Sequence, residues 1–176
     1  ANEMVWVPYY DINNLIIGYK TLSKSGGKRA GVGSRMALYG NNESLSRLQY
    51  SNNPVIICEG ESDTWVMDYL YGDEYVVVGF PGANQNVQEI LGIYDNDVWS
   101  QRYVAIVFDG DAAGTSGRAQ VAQWLHDHNA TVTLTPLPEG KDVADMQRED
   151  IKDLFDEWQM PYGEPQKVVQ VGNMYR

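Results

Sequence analysis

The chain has 176 residues, of which 43% are apolar, enough for one domain with a real core and too many for wholesale disorder. Its net charge of -11 is unevenly spread: residues 1–50 carry six Lys/Arg against three Asp/Glu, and residues 51–176 carry seven against twenty-one. A lone cysteine, Cys58, excludes an internal disulfide, no apolar run nears the length of a membrane span, and the first residues lack the basic-then-apolar order of a signal peptide.

A single thiol fits a reducing compartment, and the expected location is the cytoplasm. A start at Ala1 rather than Met reads as a fragment of a longer protein. Residues 5–19 alternate around the turn-forming DINN, which predicts a β-hairpin. The following TLSKSGGKRAGVGSRM is rich in Gly, Ser and basic residues and predicts a loop, either a solvated connector or one ordered by a ligand.

From Pro54 onward the pattern changes. PVIIC is a short apolar run that predicts a buried parallel strand ending at Glu59 and Gly60. SDTWVMDYLYG predicts a helix capped by Ser62 or Asp63 and stopped at Gly72. EYVVVGF predicts a second strand, and PGANQNVQEILGIY a loop with a helix. YVAIVF predicts a third strand, followed by a helix over AGTSGRAQVAQWLHDHN. TVTLTPL predicts a fourth strand, followed by helical segments around DVADM and EDIKDLFDEW. From MPYGEPQ the pattern fades into a tail or linker. Strands alternating with helices imply a parallel sheet covered on both faces, of about four strands.

In such sheets ligands bind beyond the carboxyl ends of the strands. Acidic residues fall at three of those ends: Glu59 after the first strand, Asp109 and Asp111 around Gly110 after the third, and Asp142 after the fourth, with Asp145 a turn later. Asp63 follows Glu59 by four residues. Taken alone, Asp63 and Asp142 could cap helices, and DGD could be a polar turn. Together on one edge, four or five carboxylates repel unless a cation stands among them. Oxygen ligands favour Mg²⁺ or Mn²⁺, and zinc is disfavoured because His126 and His128 sit on a helix far from the strand ends. Gly110 would let the backbone turn so that both carboxylates face the cation.

Competing motifs fail on spacing. A calcium-binding loop starting at Asp109 would place Ala113 and Gln120 where ligands are required. EGKD lacks the upstream glycine and the hydroxyl residue of a phosphate-binding P-loop. A phosphatase forming an aspartyl-phosphate would not need Glu59 and Gly60 on a separate strand.

EGESD closing one strand, FDGDAAG closing a later one and LPEGKD after that, in this order, resemble the Toprim domain of primases, topoisomerases and some nucleases. The resemblance covers roughly residues 53–150 and is nearest the bacterial and phage primase branch, with VVVGFPGAN similar to the turn of primase-helicases. DINNLIIGYKTLSKSGGKR followed by GSRMALYG resembles the end of the primase basic subdomain. The resemblance implies an α/β Rossmann-like Toprim sheet over 51–160, preceded by a basic β-hairpin leader over 1–50 and followed by a tail over 161–176. It also implies Mg²⁺-dependent synthesis of RNA primers on single-stranded DNA during replication, in a bacterial or phage-infected cell. Glu59, Asp109 and Asp111 would be catalytic, and Asp63 and Asp142 would join them as metal ligands. Lys28, Arg29, Arg35 and Lys141 would neutralise nucleotide or template phosphates. Ribonucleoside triphosphates, the template and a helicase are the implied partners, with no membrane. A nuclease, or a metal- and nucleic-acid-binding module attached to a helicase, is the alternative. One departure is that Asp142 and Asp145 stand three apart where primases often have Asp-x-Asp; no role is assigned to Asp145. Zinc-binding and helicase modules of full-length primases do not appear in these 176 residues.

Overall fold

In a computed structural model of the chain, residues 4–24, 27–157 and 159–163 are described. The leader is a three-stranded antiparallel sheet of β1 (Met4–Tyr10), β2 (Ile16–Ser23) and β3 (Lys28–Ala30). Asp11 closes the first turn by accepting hydrogen bonds on Oδ1 from the Asn13 and Leu15 amides, and Asn14 takes a positive φ of 62° there. The expected hairpin is present, and the expected loop holds over residues 31–36 but is strand in two places. Its start extends β2 through Ser23 and its middle supplies β3, so Lys28 and Arg29 sit on a strand. The free edge of β2 offers backbone partners that composition does not reveal.

A short, mostly polar helix follows: α1 (Asn42–Tyr50), capped by Asn41, whose side chain accepts from the Ser44 amide at 2.7 Å. The main sheet then has the order β5-β4-β6-β7-β8. Here β4 is Val55–Glu59, β5 is Val76–Phe80, β6 is Tyr103–Val107, β7 is Thr131–Leu134 and β8 is Met160–Pro161. The first four are parallel, as expected for the Toprim-like α/β class. Antiparallel β8 was not expected, since two residues and a proline carry no strand pattern; it pairs with Thr133 and Leu134 at the sheet edge. Residues 164–176, expected to be a tail, lie outside the described residues.

Both faces of this sheet are buried, which is why its strands read as continuous apolar runs. Ile57, Val78, Ile106 and Phe108 pack on one face with Leu91, Trp99, Val121 and Leu125. Ile56, Cys58, Val77, Ala105 and Val107 pack on the other with Met67, Val143, Ile151 and Phe155. The covering helices are α2 (Glu61–Tyr71), α3 (Val87–Leu91), α4 (Asn96–Trp99), α5 (Ala112–Asp127) and α6 (Arg148–Glu157), with a 3-10 turn over Val143–Asp145. Neither Ser62 nor Asp63 caps α2. The cap position is Gly60, which makes no side-chain bond and has φ +90°, a conformation that favours glycine. Buried Arg102 locks α1 to the sheet by donating to the carbonyls of Asn53, Leu48, Val98 and Arg47. Among the described residues no helix is long and apolar enough to cross a membrane.

Candidate metal centre at the strand ends

The chain leaves β4 for β5 on one side and reaches β6 on the other, so a crevice opens beyond the carboxyl ends of β4 and β6. These two strands pair in parallel, Cys58 opposite Val107, which brings Glu59 and Asp109 together just past the last rung. Glu59 accepts from the Ala83 amide on Oε1 at 3.3 Å and from the Asp109 amide on Oε2 at 3.4 Å. Burial raises its pKa; the two amides and Lys28 oppose that, and Asp111 adds repulsion.

Asp109 is held most awkwardly. Its Oδ1 is buried without a hydrogen-bond partner. Burial, followed by repulsion from Glu59, Asp142 and Asp111, raises its pKa to about 7, with Lys28 pulling the other way. Asp63 lies in the first turn of α2 at 2% exposure and accepts from the Ala144 amide at 3.0 Å, tying α2 to the 3-10 turn. Its pKa is likewise raised to about 7, by burial first and then by Asp109 and Asp142. Asp111 and Asp142 each spend one oxygen as a cap, on the amides of Gly114 at 2.7 Å and Asp145 at 2.8 Å. For Asp142 the cap is the bland role weighed from the sequence, whereas for Asp111 a polar turn was the alternative; each cap leaves the second carboxylate oxygen out of that bond.

The role expected for Gly110 is corrected. Its φ is not positive; instead a Cβ there would stand 1.9 Å from the Pro138 carbonyl oxygen. Gly110 therefore lets the loop after β7 pack against the end of β6, joined by Gly110 N–H to Lys141 O at 2.8 Å and Gly140 N–H to Gly110 O at 3.1 Å. That approach brings Asp142 to Asp109.

Five carboxylates, one of them with a buried oxygen that has no hydrogen-bond partner, fit a divalent cation in chemistry. Among the described residues no three of them stand close enough to form a closed ligand set, so side chains would have to rotate onto the ion. His126 is exposed and His128 stacks on Trp124 at 3.7 Å, both away from the centre.

Of the four predicted basic residues, Lys28 reaches this centre: its Nζ lies 3.8 Å from where a Cβ on Gly60 would be. Arg29, its exposed neighbour on β3, points to the opposite face. Arg35 lines a cavity of about 690 Å³ with Asp11, Gln85, Gln88 and Glu89, between the leader and α3. Lys141 is exposed and borders a separate groove with Asp145 and Asp150.

A trio was missed. Glu61, fully buried, accepts on Oε1 from the Tyr9 hydroxyl and from Lys20 Nζ at 2.8 Å. Burial works against its charge, but Lys20 and Tyr9 hold its pKa below the usual range. A charged residue two positions after Glu59 is the only hint of this in the sequence.

No family model and no curated protein matches the sequence. Solved structures do. A chain from the bacteriophage T7 lagging-strand DNA polymerase assembled with the primase domains of two gp4 subunits, bound to an RNA/DNA hybrid and dTTP, superposes with TM-score 0.69 at 23% identity, over 92% of this chain and 80% of that one. The primase fragment of the bacteriophage T7 primase-helicase gives 0.65 at 22%, over 88% and 64%. The zinc-binding and RNA polymerase domains of Aquifex aeolicus primase give 0.61 at 20%, over 89% and 40%. The chain thus spans from two fifths to four fifths of these relatives' length.

Proposed function

Because the chain has the fold of primase-type domains, we propose that it is the polymerising part of a DNA primase, adding ribonucleotides to a primer on single-stranded DNA. The observation that supports this reading is the mutual repulsion of Glu59, Asp63, Asp109, Asp111 and Asp142 at the strand ends, with one buried Asp109 oxygen left unpartnered. Residues 1–50 would serve as the basic, template-facing leader and 51–160 as the catalytic unit.

Glu59, Asp109 and Asp111 would hold Mg²⁺ or Mn²⁺, with Asp63 and Asp142 extending the ligand set. The bound ion would supply charge neutralisation for the triphosphate and acidify the primer 3′-hydroxyl. Glu59, with its raised pKa, is suited to receive the proton of that hydroxyl when it is not acting as a ligand. Lys28 would meet the phosphates from the leader side, opposite the carboxylates. Arg29, Arg35 and Lys141 lie farther out and would follow the template or nucleotide backbone. The cavity beside Arg35, lined by amide side chains and Met36, offers room for an unstacked base. A helicase is the expected partner in replication.

The test is primer extension by the 176-residue chain on single-stranded DNA with ribonucleoside triphosphates. Activity with Mg²⁺ or Mn²⁺, abolished by EDTA and by Asp109→Asn, is the expected result. Metal-dependent cleavage of DNA without synthesis would replace it with the nuclease reading. DNA binding with neither activity would leave a binding module.

A further inference from the structure

The Tyr9–Lys20–Glu61 trio has no part in the proposed reaction, yet it borders the site on two sides. Glu61 opens α2, directly after Glu59 and Gly60. Lys20, whose side chain is 14% exposed, donates to Glu61 at 2.8 Å and to the Pro81 carbonyl at 2.7 Å. One ammonium therefore bonds both the start of α2 and the turn after β5. Tyr9 adds its hydroxyl to Glu61, and its ring lies 5.6 Å from the same ammonium.

A buried ion pair is an inefficient way to hold two sheets together, since its desolvation cost commonly equals its Coulomb gain and apolar groups do the task as well. What it does supply is a fixed geometry. The ladder carries that geometry onward. Lys20 pairs with Ala30 and Leu22 with Lys28, so the anchored lysine and the lysine over the site lie two rungs apart on neighbouring strands. The segment Glu59-Gly60-Glu61 is thereby met twice from one sheet, at Glu61 by Lys20 and at Gly60 by Lys28. With only three residues, β3 depends for its place on the β2 it pairs with.

We propose that Glu61 is a positioning residue. It fixes β2 through Lys20, and through the β2–β3 ladder it sets the reach of Lys28 over Glu59 and Asp109. The functional consequence rests on the primase reading; the structural one does not.

Two variants of the full chain test it. Glu61→Gln removes the charge, and the paired Glu61→Leu/Lys20→Met replaces the ion pair with apolar groups, so that folding survives if the lone Lys20 is not tolerated. Amide hydrogen exchange should quicken about tenfold or more across residues 16–23 and 28–30 in Glu61→Gln, with β4, β5 and β6 unchanged, whereas the paired variant, whose apolar contact can hold the sheets together, should keep slow exchange and lose only the geometry. In nucleotide addition, kcat/KM should fall by roughly tenfold to a hundredfold, mostly through KM. The loss should not add to that of Lys28→Ala, as expected of residues acting through one another. Unchanged exchange in β2 and β3 of Glu61→Gln, uniform quickening across both sheets, or additivity with Lys28→Ala would each overturn the proposal. If the unaltered chain adds no nucleotides, the primase reading fails by itself and the exchange pattern still decides the joint.

Discussion

The two sheets of this protein are held in place by opposite means. The five-stranded sheet buries successive residues of its central strands on both faces, so Ile56, Ile57, Cys58, Ala105 and Ile106 are all fully enclosed. In the leader sheet Val7 and Tyr9 are buried, while Met4, Val5, Trp6, Leu15 and Ile16 are each more than half exposed. Beyond buried Val7 and Tyr9 and the packing of Tyr10 against the main core, the leader is tied by polar contacts, the Lys20–Glu61 pair with Tyr9 and Lys20 on the Pro81 carbonyl, assisted by the Tyr39–Gly79 bridge that follows it. The acidic half of the candidate site thus sits on a close-packed frame that resists displacement. Its basic half sits on a frame held by a few directional bonds, whose loss shifts geometry before it unfolds the chain.

The largest effect expected on this contrast is chemical. Asp109→Asn should lower nucleotide addition by more than about a hundredfold, the scale of removing one electrostatic element from an active site. The melting temperature should hold or rise, because the lost charge was buried and repelled by its neighbours. A variant that unfolds would show that Asp109 belongs to the frame and not to the site.

Next comes pH. Asp63 and Asp109 have folded pKa values of about 7 against an unfolded value of 3.8. Between those values the folded state holds more protons than the unfolded one, so stability falls as pH rises from about 4 to 7. The total should be on the order of a few kcal/mol, with partly exposed Asp109 contributing less than buried Asp63. Thermal melts in EDTA at pH 5 and pH 8 measure it. Adding Mg²⁺ at pH 8 should recover much of the loss if the ion binds these carboxylates. Equal melting temperatures at both pH values would remove the repulsion on which the site rests.

Smaller again is Gly110→Ala, which places a methyl against the Pro138 carbonyl and should cost about 1–3 kcal/mol by overpacking. Because the strain pushes the Asp142 loop away from β6, it should also weaken Mn²⁺ binding. A variant as stable as the parent would mean that the loop yields freely.

How far the sequence could be read follows the same division. PVIIC, EYVVVGF and YVAIVF declare their strands because burial on both faces leaves no polar position, and the order of their acidic ends then places Glu59 beside Asp109. The helix over NESLSRLQY escapes notice because it is short and mostly polar, with only Leu45 and Leu48 marking its buried face. The third leader strand is hidden because Lys28–Ala30 lie in a run of loop composition and pair only with the edge of β2. Lys20 and Glu61 are 41 positions apart, and no local rule links them. Gly110 was correctly singled out for the wrong reason: a close approach leaves the same residue type as a sharp turn, and the two are told apart only by the backbone opposite.

The smallest effects distinguish two neighbours on the adjustable sheet. Lys28 and Arg29 carry like charges on adjacent positions of β3, and strand alternation sends them to opposite faces. Each should contribute about one phosphate contact, so Lys28→Ala and Arg29→Ala should each reduce the salt dependence of single-stranded DNA binding by about one unit of log–log slope. Without metal they should differ. Lys28 offsets the charge of Glu59, Asp63 and Asp109, whereas Arg29 is not among the groups acting on them. Removing Lys28 should raise those carboxylates further and steepen the loss of stability between pH 4 and 7; removing Arg29 should leave that slope unaltered. Melting curves in EDTA across this range, set beside DNA-binding isotherms at several salt concentrations, measure both effects. If the two variants show the same pH slope, Lys28 does not face the acidic centre in solution, and the leader's basic half contributes only diffuse attraction.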